Sequence, residues 1–379
     1  MRLGAVALAT SFLLGTVARS PAALAEIRGL GLRLEAGVEH DTNPERLETL
    51  NGITAEGGIV ASPAAVMVTQ LDAALVWASG WFLTGTAGLA GKRFWRQRAQ
   101  GEDLVIADGR LDLGARLGSS TGLALGTGYY DVYQRASGVA RARDFRSLAP
   151  ALRVEQYLGP ARISLSGGWR HFVFKPAGAL DFSAPTLALA YQQSYTPAFD
   201  EAGAAWDWSV SFGFEHRRFP SGICTGPTTC EPVDSPKQRR DAFFFGRVDL
   251  ARIGDHLLGV SVAGQSNASN SFGQSLLRVS TELRAVFLLP GSFSLAARGE
   301  LVATRYDDLV PVGHNPMSGT FVNIEDESRS TLRVQLSRPV WDPLEAGARY
   351  TLYSSAPSGG PAGFSRQVFL LFVAVTWGG

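Results

Sequence analysis

The sequence predicts an all-β fold, a transmembrane antiparallel up-and-down β-barrel of about sixteen strands (range roughly 14 to 18), preceded by a cleaved signal peptide. Three observations support this: side chains alternate between polar and apolar, short and long connections alternate, and the strands are long. Composition agrees, because the 379 residues include 43 Gly and only 18% charged residues, against roughly 25% in soluble domains.

The first 25 residues have the pattern of a secretory signal peptide. Arg2 supplies the positive charge, Leu3 to Val17 form an apolar run, and Ala23-Leu24-Ala25 is a cleavage site of small residues. The apolar run is short for a membrane helix, which needs about 20 apolar residues, although an uncleaved anchor is the alternative. Removal of residues 1–25 takes away Arg2, Arg19 and no acid, so the net charge changes from +1 to −1.

Alternation with a period of two recurs through the remaining chain, and no helical period is sustained after Glu26. In 110–117, for example, Arg110, Asp112 and Arg116 occupy even positions while Leu111 and Leu113 occupy odd ones. Successive side chains of a strand point to opposite faces, so each such segment has one polar and one apolar face. The predicted strands are 27–40, 65–79, 81–96, 103–118, 121–135, 144–158, 161–175, 181–196, 204–218, 239–253, 257–266, 274–288, 291–306, 327–338, 344–353 and 366–377.

One apolar segment, Gly52 to Ala61, has no place among these strands. It either extends the second strand across Ser62-Pro63 or forms an additional hairpin. Both alternatives are compatible with the alternation.

Tight turns rich in Gly, Pro and Ser alternate with longer polar connections. The tight turns are Gly80, 119–120, 159–160, 253–255 and 290–291, and the longer connections are 97–102, 136–143, 219–238, 307–326 and 354–365. Strict alternation places all short connections at one end of the strands, as in outer-membrane barrels, where turns are periplasmic and loops external. We therefore predict one barrel domain over residues 26–379, with long external loops near 219–238 and 307–326.

Strand length favours a barrel over a soluble sandwich, whose strands average five to six residues. Segments of about twelve to fifteen residues suit tilted strands that cross an apolar band and project beyond it. Aromatic residues near strand ends are then expected at the level of the lipid headgroups, although aromatic residues also favour strands in general. They are Trp77, Trp81, Phe82, Phe94, Trp95, Tyr129, Tyr130, Tyr133, Phe172, Phe174, Tyr191, Tyr195, Trp206, Trp208, Tyr350, Tyr353 and Trp377.

The sequence does not suggest an enzyme, a cofactor or a metal site. It has no HExxH motif, no nucleophile elbow and no phosphate or dinucleotide loop. The five histidines are scattered over separate segments: His40, His171, His216, His256 and His314. A barrel enzyme whose catalytic residues meet only in space is the remaining alternative.

Cys224 and Cys230 are the two cysteines of the chain. They lie six residues apart in a loop rich in Pro and Gly, and in an exported protein this predicts a local disulfide. A metal site would need further ligands, which this loop does not offer.

Charged residues on the polar faces of the strands are predicted to line a hydrated lumen. A charge facing lipid would cost about 2 to 4 kcal/mol at the membrane midplane, and a barrel of sixteen strands encloses an aqueous channel. Pairing of these groups with neighbouring strands is the structural alternative. The predicted pore-lining residues are Arg110, Asp112, Arg116, Arg153, Glu155, Arg162, Arg170, Asp207, Glu215, Arg217, Arg247, Asp249, Arg278, Glu282, Arg284, Arg298, Glu300, Arg333 and Arg349, joined by Arg33, Glu35, Glu39 and Glu345.

Several segments resemble proteobacterial, myxobacterial-type outer-membrane β-barrels: 37–44 (Gly-Val-Glu-His-Asp-Thr-Asn-Pro), 271–273, 304–307, 325–332 and 345–350. Some barrels of this type are implicated in exopolysaccharide export, where the barrel completes a machine that lacks its own outer-membrane pore. The last strand, Val368 to Trp377, resembles the signal read by the barrel-assembly machinery, although Gly378 and Gly379 follow its aromatic residue.

The resemblance implies a non-enzymatic porin for exopolysaccharide export in the outer membrane of a Gram-negative bacterium. Its expected partners are outer-membrane lipid, the barrel-assembly machinery, periplasmic polysaccharide-export proteins and polysaccharide, with no nucleic acid. One alternative is a general diffusion porin or small-solute transporter. A second is a barrel that anchors an envelope adhesion or motility complex.

Overall fold

The computed structural model describes residues 25–44, 49–50, 53–54, 59–135, 144–175, 178–196, 204–226, 229–232, 236–308, 330–355 and 362–378. Within them, sixteen long antiparallel strands form a closed barrel. The predicted signal peptide lies outside the described residues, except for Ala25, which begins the first strand.

The barrel strands are numbered in chain order. They are β1 (Ala25–Asp41), β2 (Ser62–Trp77), β3 (Trp81–Phe94), β4 (Leu104–Leu117), β5 (Thr121–Gln134), β6 (Phe145–Leu158), β7 (Ala161–Phe174), β8 (Phe182–Tyr195), β9 (Ala205–Gly222), β10 (Gln238–Ile253), β11 (Leu257–Ser269), β12 (Leu276–Leu289), β13 (Phe293–Tyr306), β14 (Ser330–Trp341), β15 (Leu344–Ser355) and β16 (Ala362–Trp377). Short 3₁₀ helices occupy Gln97–Glu102, Gly178–Leu180 and Pro290–Ser292. No helix in the described part of the chain is long and apolar enough to cross a membrane.

Each strand pairs with its neighbours in the chain, and β1 pairs with β16 to close the sheet. The closing register runs from Leu32 opposite Trp377 to Asp41 opposite Val368. On its other side, β1 pairs with β2 along nearly its whole length, with one irregularity between Ile27 and Gly29. The predicted up-and-down barrel of about sixteen strands is therefore confirmed.

Most connections differ in length between the two ends of the barrel. At the end where β1 begins and β16 finishes, called the turn end, β2–β3, β6–β7 and β14–β15 are joined through 78–80, 159–160 and 342–343. At the opposite end, called the loop end, the connections include 42–61, 223–237 and 307–329. The three longest loops thus share one end, as the alternation predicts. One exception is the connection between β8 and β9 at the turn end, whose nine residues 196–204 outnumber the six residues 270–275 at the loop end.

Two details differ from the sequence prediction. The predicted loop 219–238 starts later, because β9 continues past an irregularity after Arg218 to Gly222, and Phe219 packs inside the barrel. The segment Gly52 to Ala61 contributes Ile53–Thr54, which pairs with Thr49–Leu50, and that strand in turn pairs with β16. This hairpin lies beyond the sixteen barrel strands, while β2 itself includes Ser62 and Pro63.

The register identifies the inner face of the barrel wall. Lys92 on β3 contacts Asp41 on β1, Arg153 on β6 reaches Asp112 on β4, and Arg170 on β7 reaches Glu215 on β9. Each contact skips one strand, which requires the concave side, where side chains converge. The opposite face carries exposed apolar residues such as Leu125, Leu283 and Leu301, whose exposure reaches 60–70%.

Candidate functional site

The inner face of the barrel wall is the candidate functional site. All nineteen residues predicted to line the pore have the strand parity of this face. Ion pairs join most of them into chains that run from strand to strand. The pore-lining role itself stays a prediction, and the structural alternative of cross-strand pairing accounts for many of the same residues.

One chain of charges runs across β4, β6 and β7. Arg110 Nε lies 2.7 Å from Asp112 Oδ2, and Arg153 Nη2 lies 3.7 Å from Asp112 Oδ1. Arg153 Nε then contacts Glu155 Oε1 at 3.1 Å, and Arg162 Nη1 contacts the same oxygen at 3.4 Å. Asp112 and Glu155 are buried, so their carboxylates have lost contact with water. The arginines bound to them offset part of this desolvation cost.

Two further groups lie on other parts of the wall. Arg247 Nη2 lies 2.8 Å from Asp249 Oδ1, while Glu282 Oε2 lies 3.7 Å from Arg247 and 3.0 Å from Arg298 Nη2. Arg349 donates to both carboxylate oxygens of Glu35, across the intervening β16. Arg33 connects Glu35 to Glu345, so this group spans the junction where the barrel closes.

Three arginines form a row, called the lumen arginine row, on β12, β13 and β14. Arg284 is directly opposite Arg298, and Arg298 is directly opposite Arg333. Arg298 and Arg333 are exposed, and Arg284 Nε is buried without a hydrogen-bond partner in the structure. Among the described residues only Glu282 forms a salt bridge with this row. The row is therefore a concentration of positive charge on the inner wall.

Other predicted residues lie apart from these networks. Arg278 donates to Thr304 Oγ1 at 3.2 Å, and Arg170 and Arg217 share the carboxylate of Glu215. In the described part of the chain, no salt bridge is formed by Arg116, Asp207, Glu300 or Arg333.

An aromatic arc also lies on the inner face, near the loop end, and sequence analysis missed it. Rings of successive strands β5 to β9 lie side by side with centroid distances of 5.0 to 5.6 Å, in the order Tyr130, Phe145, Phe172, Phe182 and Phe219. The first three pairs are stacked and the last is tilted. Arginines cover it: Arg217 lies 4.9 Å from the ring of Phe182, and Arg239 lies 3.9 Å from that of Phe219. Beside the arc is a cavity of about 470 Å³ lined by Tyr130, Arg170, Arg217, Phe243, Gln265 and Arg278, among others.

The expectation that strand-end aromatics face the headgroups is wrong for six residues, whose parity places them inside the barrel: Phe82, Phe94, Tyr130, Phe172, Phe174 and Tyr353. Phe94 and Phe172 are each only 2% exposed. A signal was present in the sequence, because Phe172 and Phe174 share the parity of Arg170, which was itself assigned to the inner face.

A buried charge cluster at the loop end was also missed. It consists of Asp41 on β1, Lys92 on β3 and Arg366 on β16, with Glu39 bound to Lys92. The described residues hold no group of three His, Cys, Asp or Glu side chains arranged for a metal ion. The absence of an enzymatic role and of a cofactor stays a prediction.

The predicted disulfide between Cys224 and Cys230 is confirmed. The two residues also pair as an isolated antiparallel bridge in the loop between β9 and β10. Hydrogen bonds tie this loop to the loop between β11 and β12, since Phe272 N donates to Cys224 O and Cys224 N donates to Ser271 Oγ. The disulfide thus shapes the loop end of the barrel.

Fold and inner wall define a closed, sixteen-stranded β-barrel with an apolar outer face and a charged inner face. No protein-family model matches the sequence, and no curated protein matches it. Solved structures with similar folds include OccAB1 of Acinetobacter baumannii, at 8% identity and a TM-score of 0.48, covering 95% of this chain and 100% of that one.

Another is a loop-deletion mutant of OmpT, an outer membrane protein of Vibrio cholerae, at 11% identity and a TM-score of 0.47, covering 94% of this chain and 100% of that one. A structure described as a bacterial polysaccharide outer membrane secretin has 13% identity and a TM-score of 0.40, covering 91% of this chain and 98% of that one. With all three TM-scores below 0.5, the function of this chain has to rest on its own residues.

Proposed function

We propose that this chain is a non-enzymatic channel in the outer membrane of a Gram-negative bacterium, with its turn end in the periplasm and its loop end outside. The division of the barrel wall carries the proposal. Exposed leucines and valines cover the outer face, where lipid would surround them, and charged groups concentrate on the inner face. A barrel of sixteen strands is wide enough for an aqueous channel.

Conductance across a planar lipid bilayer tests this function directly. Purified, folded protein should produce discrete current steps when it inserts. A heat-modifiable, disulfide-intact preparation that inserts without conducting would contradict the channel and favour an envelope anchor. Fractionation of the outer membrane tests the location independently.

We further propose that the solute is a polysaccharide on its way out of the cell. Sugars bind to aromatic rings and to hydrogen-bonding side chains, and the inner wall offers both where Tyr130, Arg170 and Gln265 surround the cavity. Partners on the periplasmic side would then be polysaccharide-export proteins. Deletion of the gene should abolish surface polysaccharide while leaving uptake of small solutes unchanged.

The lumen arginine row favours a second candidate, a diffusion porin for small anionic or polar solutes. Fixed positive charge on a pore wall raises the local concentration of anions. In this case the deletion strain would show an uptake defect and normal surface polysaccharide. The two phenotypes therefore separate the two candidates.

A further inference from the structure

The outer face of β7 to β10 carries a row of polar side chains near the loop end. His171, Ser183, Arg218 and Arg240 lie directly opposite one another on four successive strands, and we call them the outer polar row. His171 Nδ1 lies 3.1 Å from Ser183 Oγ. His171, Arg218 and Arg240 are exposed, whereas the neighbouring Arg217 and Arg239 are 3% and 7% exposed.

Register forces the two exposed arginines to stay side by side. Arg217 packs over the ring of Phe243 at 3.9 Å, and Arg239 packs over that of Phe219 at 3.9 Å, both on the inner face. A slip by one residue would move these buried guanidinium groups to the outer face. Asn270 also fixes the start of β10 through two hydrogen bonds to Arg240. Its side-chain Oδ1 accepts from the backbone N of Arg240, and its backbone N donates to the backbone O of Arg240.

Like charges directly opposite each other in a sheet are destabilising. Within the described residues, neither Arg218 nor Arg240 has a carboxylate at salt-bridge distance. An anion placed between them would relieve the repulsion and accept hydrogen bonds from both guanidinium groups. The pair is therefore complementary to a compact, multiply charged oxyanion.

The position of Arg240 along β10 indicates which part of a membrane would supply that anion. Between Arg240 and Arg252 the outward residues are all apolar, and Phe244, Val248 and Leu250 are 50%, 49% and 38% exposed. At about 3.3 Å per residue and a tilt of about 40°, twelve residues rise roughly 30 Å, close to the apolar band of roughly 25 Å in outer-membrane barrels. Arg240 thus lies at the headgroup level of the leaflet on the loop side.

We propose that the outer polar row is a docking site for a membrane lipid with a phosphorylated headgroup, in the leaflet at the loop end. Phosphate oxygens would bind to Arg218 and Arg240, His171 and Ser183 would extend the hydrogen bonding, and the acyl chains would cover the apolar residues below. The inference rests on the proposed membrane location but not on conduction.

Native mass spectrometry of the detergent-solubilised, full-length mature protein tests the site, with diphosphoryl lipid A as probe. The wild type should bind this lipid about tenfold more tightly than its dephosphorylated form, as expected when charge-assisted hydrogen bonds to phosphate are lost. The double variant Arg218→Gln/Arg240→Gln should lose that preference, and Arg218→Lys/Arg240→Lys should retain most of it. Arg252→Gln, on the same strand at the turn-end edge, is the matched control and should bind like the wild type.

Three results would overturn the docking site: equal binding of both lipids by the wild type, wild-type affinity in the Gln double variant, or equally tight binding of inorganic phosphate. The lipid comparison needs no mutation, so it remains decisive even where a variant folds poorly. Conductance of the same preparations in phosphatidylcholine bilayers separates the two proposals. Lipid binding that depends on the outer polar row, without conductance, supports the docking site and contradicts the channel. Conductance without such lipid binding supports the channel and contradicts the docking site.

Discussion

Asp41 shows how a buried charge is held at the junction of the barrel. Its carboxylate is fully buried, and Arg366 Nε lies 3.0 Å from both of its oxygens. Lys92 Nζ lies 3.0 Å from Oδ2, and Asn43 N donates to Oδ1 at 3.1 Å. The cluster therefore connects β1 with β16 on one side and, across β2, with β3 on the other.

We expect Arg366→Gln to destabilise the barrel by about 3 to 5 kcal/mol, because it leaves Asp41 buried with only part of its compensation. Urea unfolding of protein folded into lipid vesicles measures the change. The double variant Asp41→Asn/Arg366→Gln removes both charges and should recover part of the loss. A single variant within about 1 kcal/mol of the wild type would contradict this account.

Arg333 tests the lumen arginine row. Arg333→Glu should reduce the permeability of the channel to anions relative to cations, because it reverses one charge of the row and places a carboxylate opposite Arg298. The reversal potential in a KCl gradient measures the ratio. Arg338→Glu is a matched control, since Arg338 lies on the same strand but on the outer face, over the ring of Phe293. Unchanged selectivity in Arg333→Glu would remove this row from the conduction path.

At the scale of single strands, glycines allow close approach only at particular points. A Cβ on Gly168 would clash with Pro150 O and would lie 2.8 Å from Ala151 Cβ. The adjacent Gly167 has no atom within 4 Å of the corresponding position. The two neighbours on β7 thus have opposite tolerance for a side chain.

Gly168→Ala should destabilise the barrel by about 1 to 3 kcal/mol through overpacking against β6. Gly167→Ala should be neutral or stabilise by about 0.5 to 1 kcal/mol, because alanine loses less backbone entropy on folding. The two variants are compared by the urea concentration at half unfolding, provided that the unfolding free energy has the same dependence on urea in both. Equal midpoints would show that β6 and β7 separate enough to accept the methyl group.

The disulfide loop between β9 and β10 should be separable from the barrel. Cys224→Ser/Cys230→Ser removes a local constraint of about 2 to 3 kcal/mol on loop-closure grounds, while the strand ladders on both sides remain intact. Limited proteolysis should therefore cut between Gly222 and Gln238 faster in the variant, with unchanged heat-modifiable migration of the barrel. Loss of the folded band would instead show that the disulfide is needed for assembly.

For the whole molecule, alternation and connection length were sufficient to predict the barrel, because each strand has one polar and one apolar face. All sixteen predicted strands correspond to observed ones, with ends displaced by a few residues, as at β9, where the inward packing of Phe219 prolongs the strand. What the sequence could not reveal is which side chains meet across an intervening strand. The contact of Lys92 with Asp41 depends on the register of β1, β2 and β3 together.

The inner aromatic arc exposes a second limit of sequence reasoning. Polar and apolar residues identify the two faces of a strand only where each face has a uniform composition. Toward the loop end, the inner face of β5 to β10 carries aromatic rings among its charged residues. Phe172 and Phe182 pack there in a buried cluster with other barrel residues. The odd or even position of these residues along their strands correctly predicts the inner face. Their aromatic character alone would wrongly predict the outer face.

Closure by β1 and β16 is the property on which every proposal for this molecule depends, and a cross-link can test it. Ala36 and Val373 are directly opposite each other, with the parity of the outer face. Opposed residues of an antiparallel pair have Cα atoms about 4.5 to 5.5 Å apart, within the range that a disulfide spans. The variant Ala36→Cys/Val373→Cys should therefore form a second disulfide on mild oxidation.

The control Ala36→Cys/Val248→Cys places its second cysteine on β10, seven strands away from β1 around the barrel, and should not cross-link within a molecule. Because the new bond would join the two ends of the sheet, the oxidised protein should stay compact on gels under conditions that open the reduced form. Failure to cross-link in a preparation that conducts would mean that the first and last strands pair in another register.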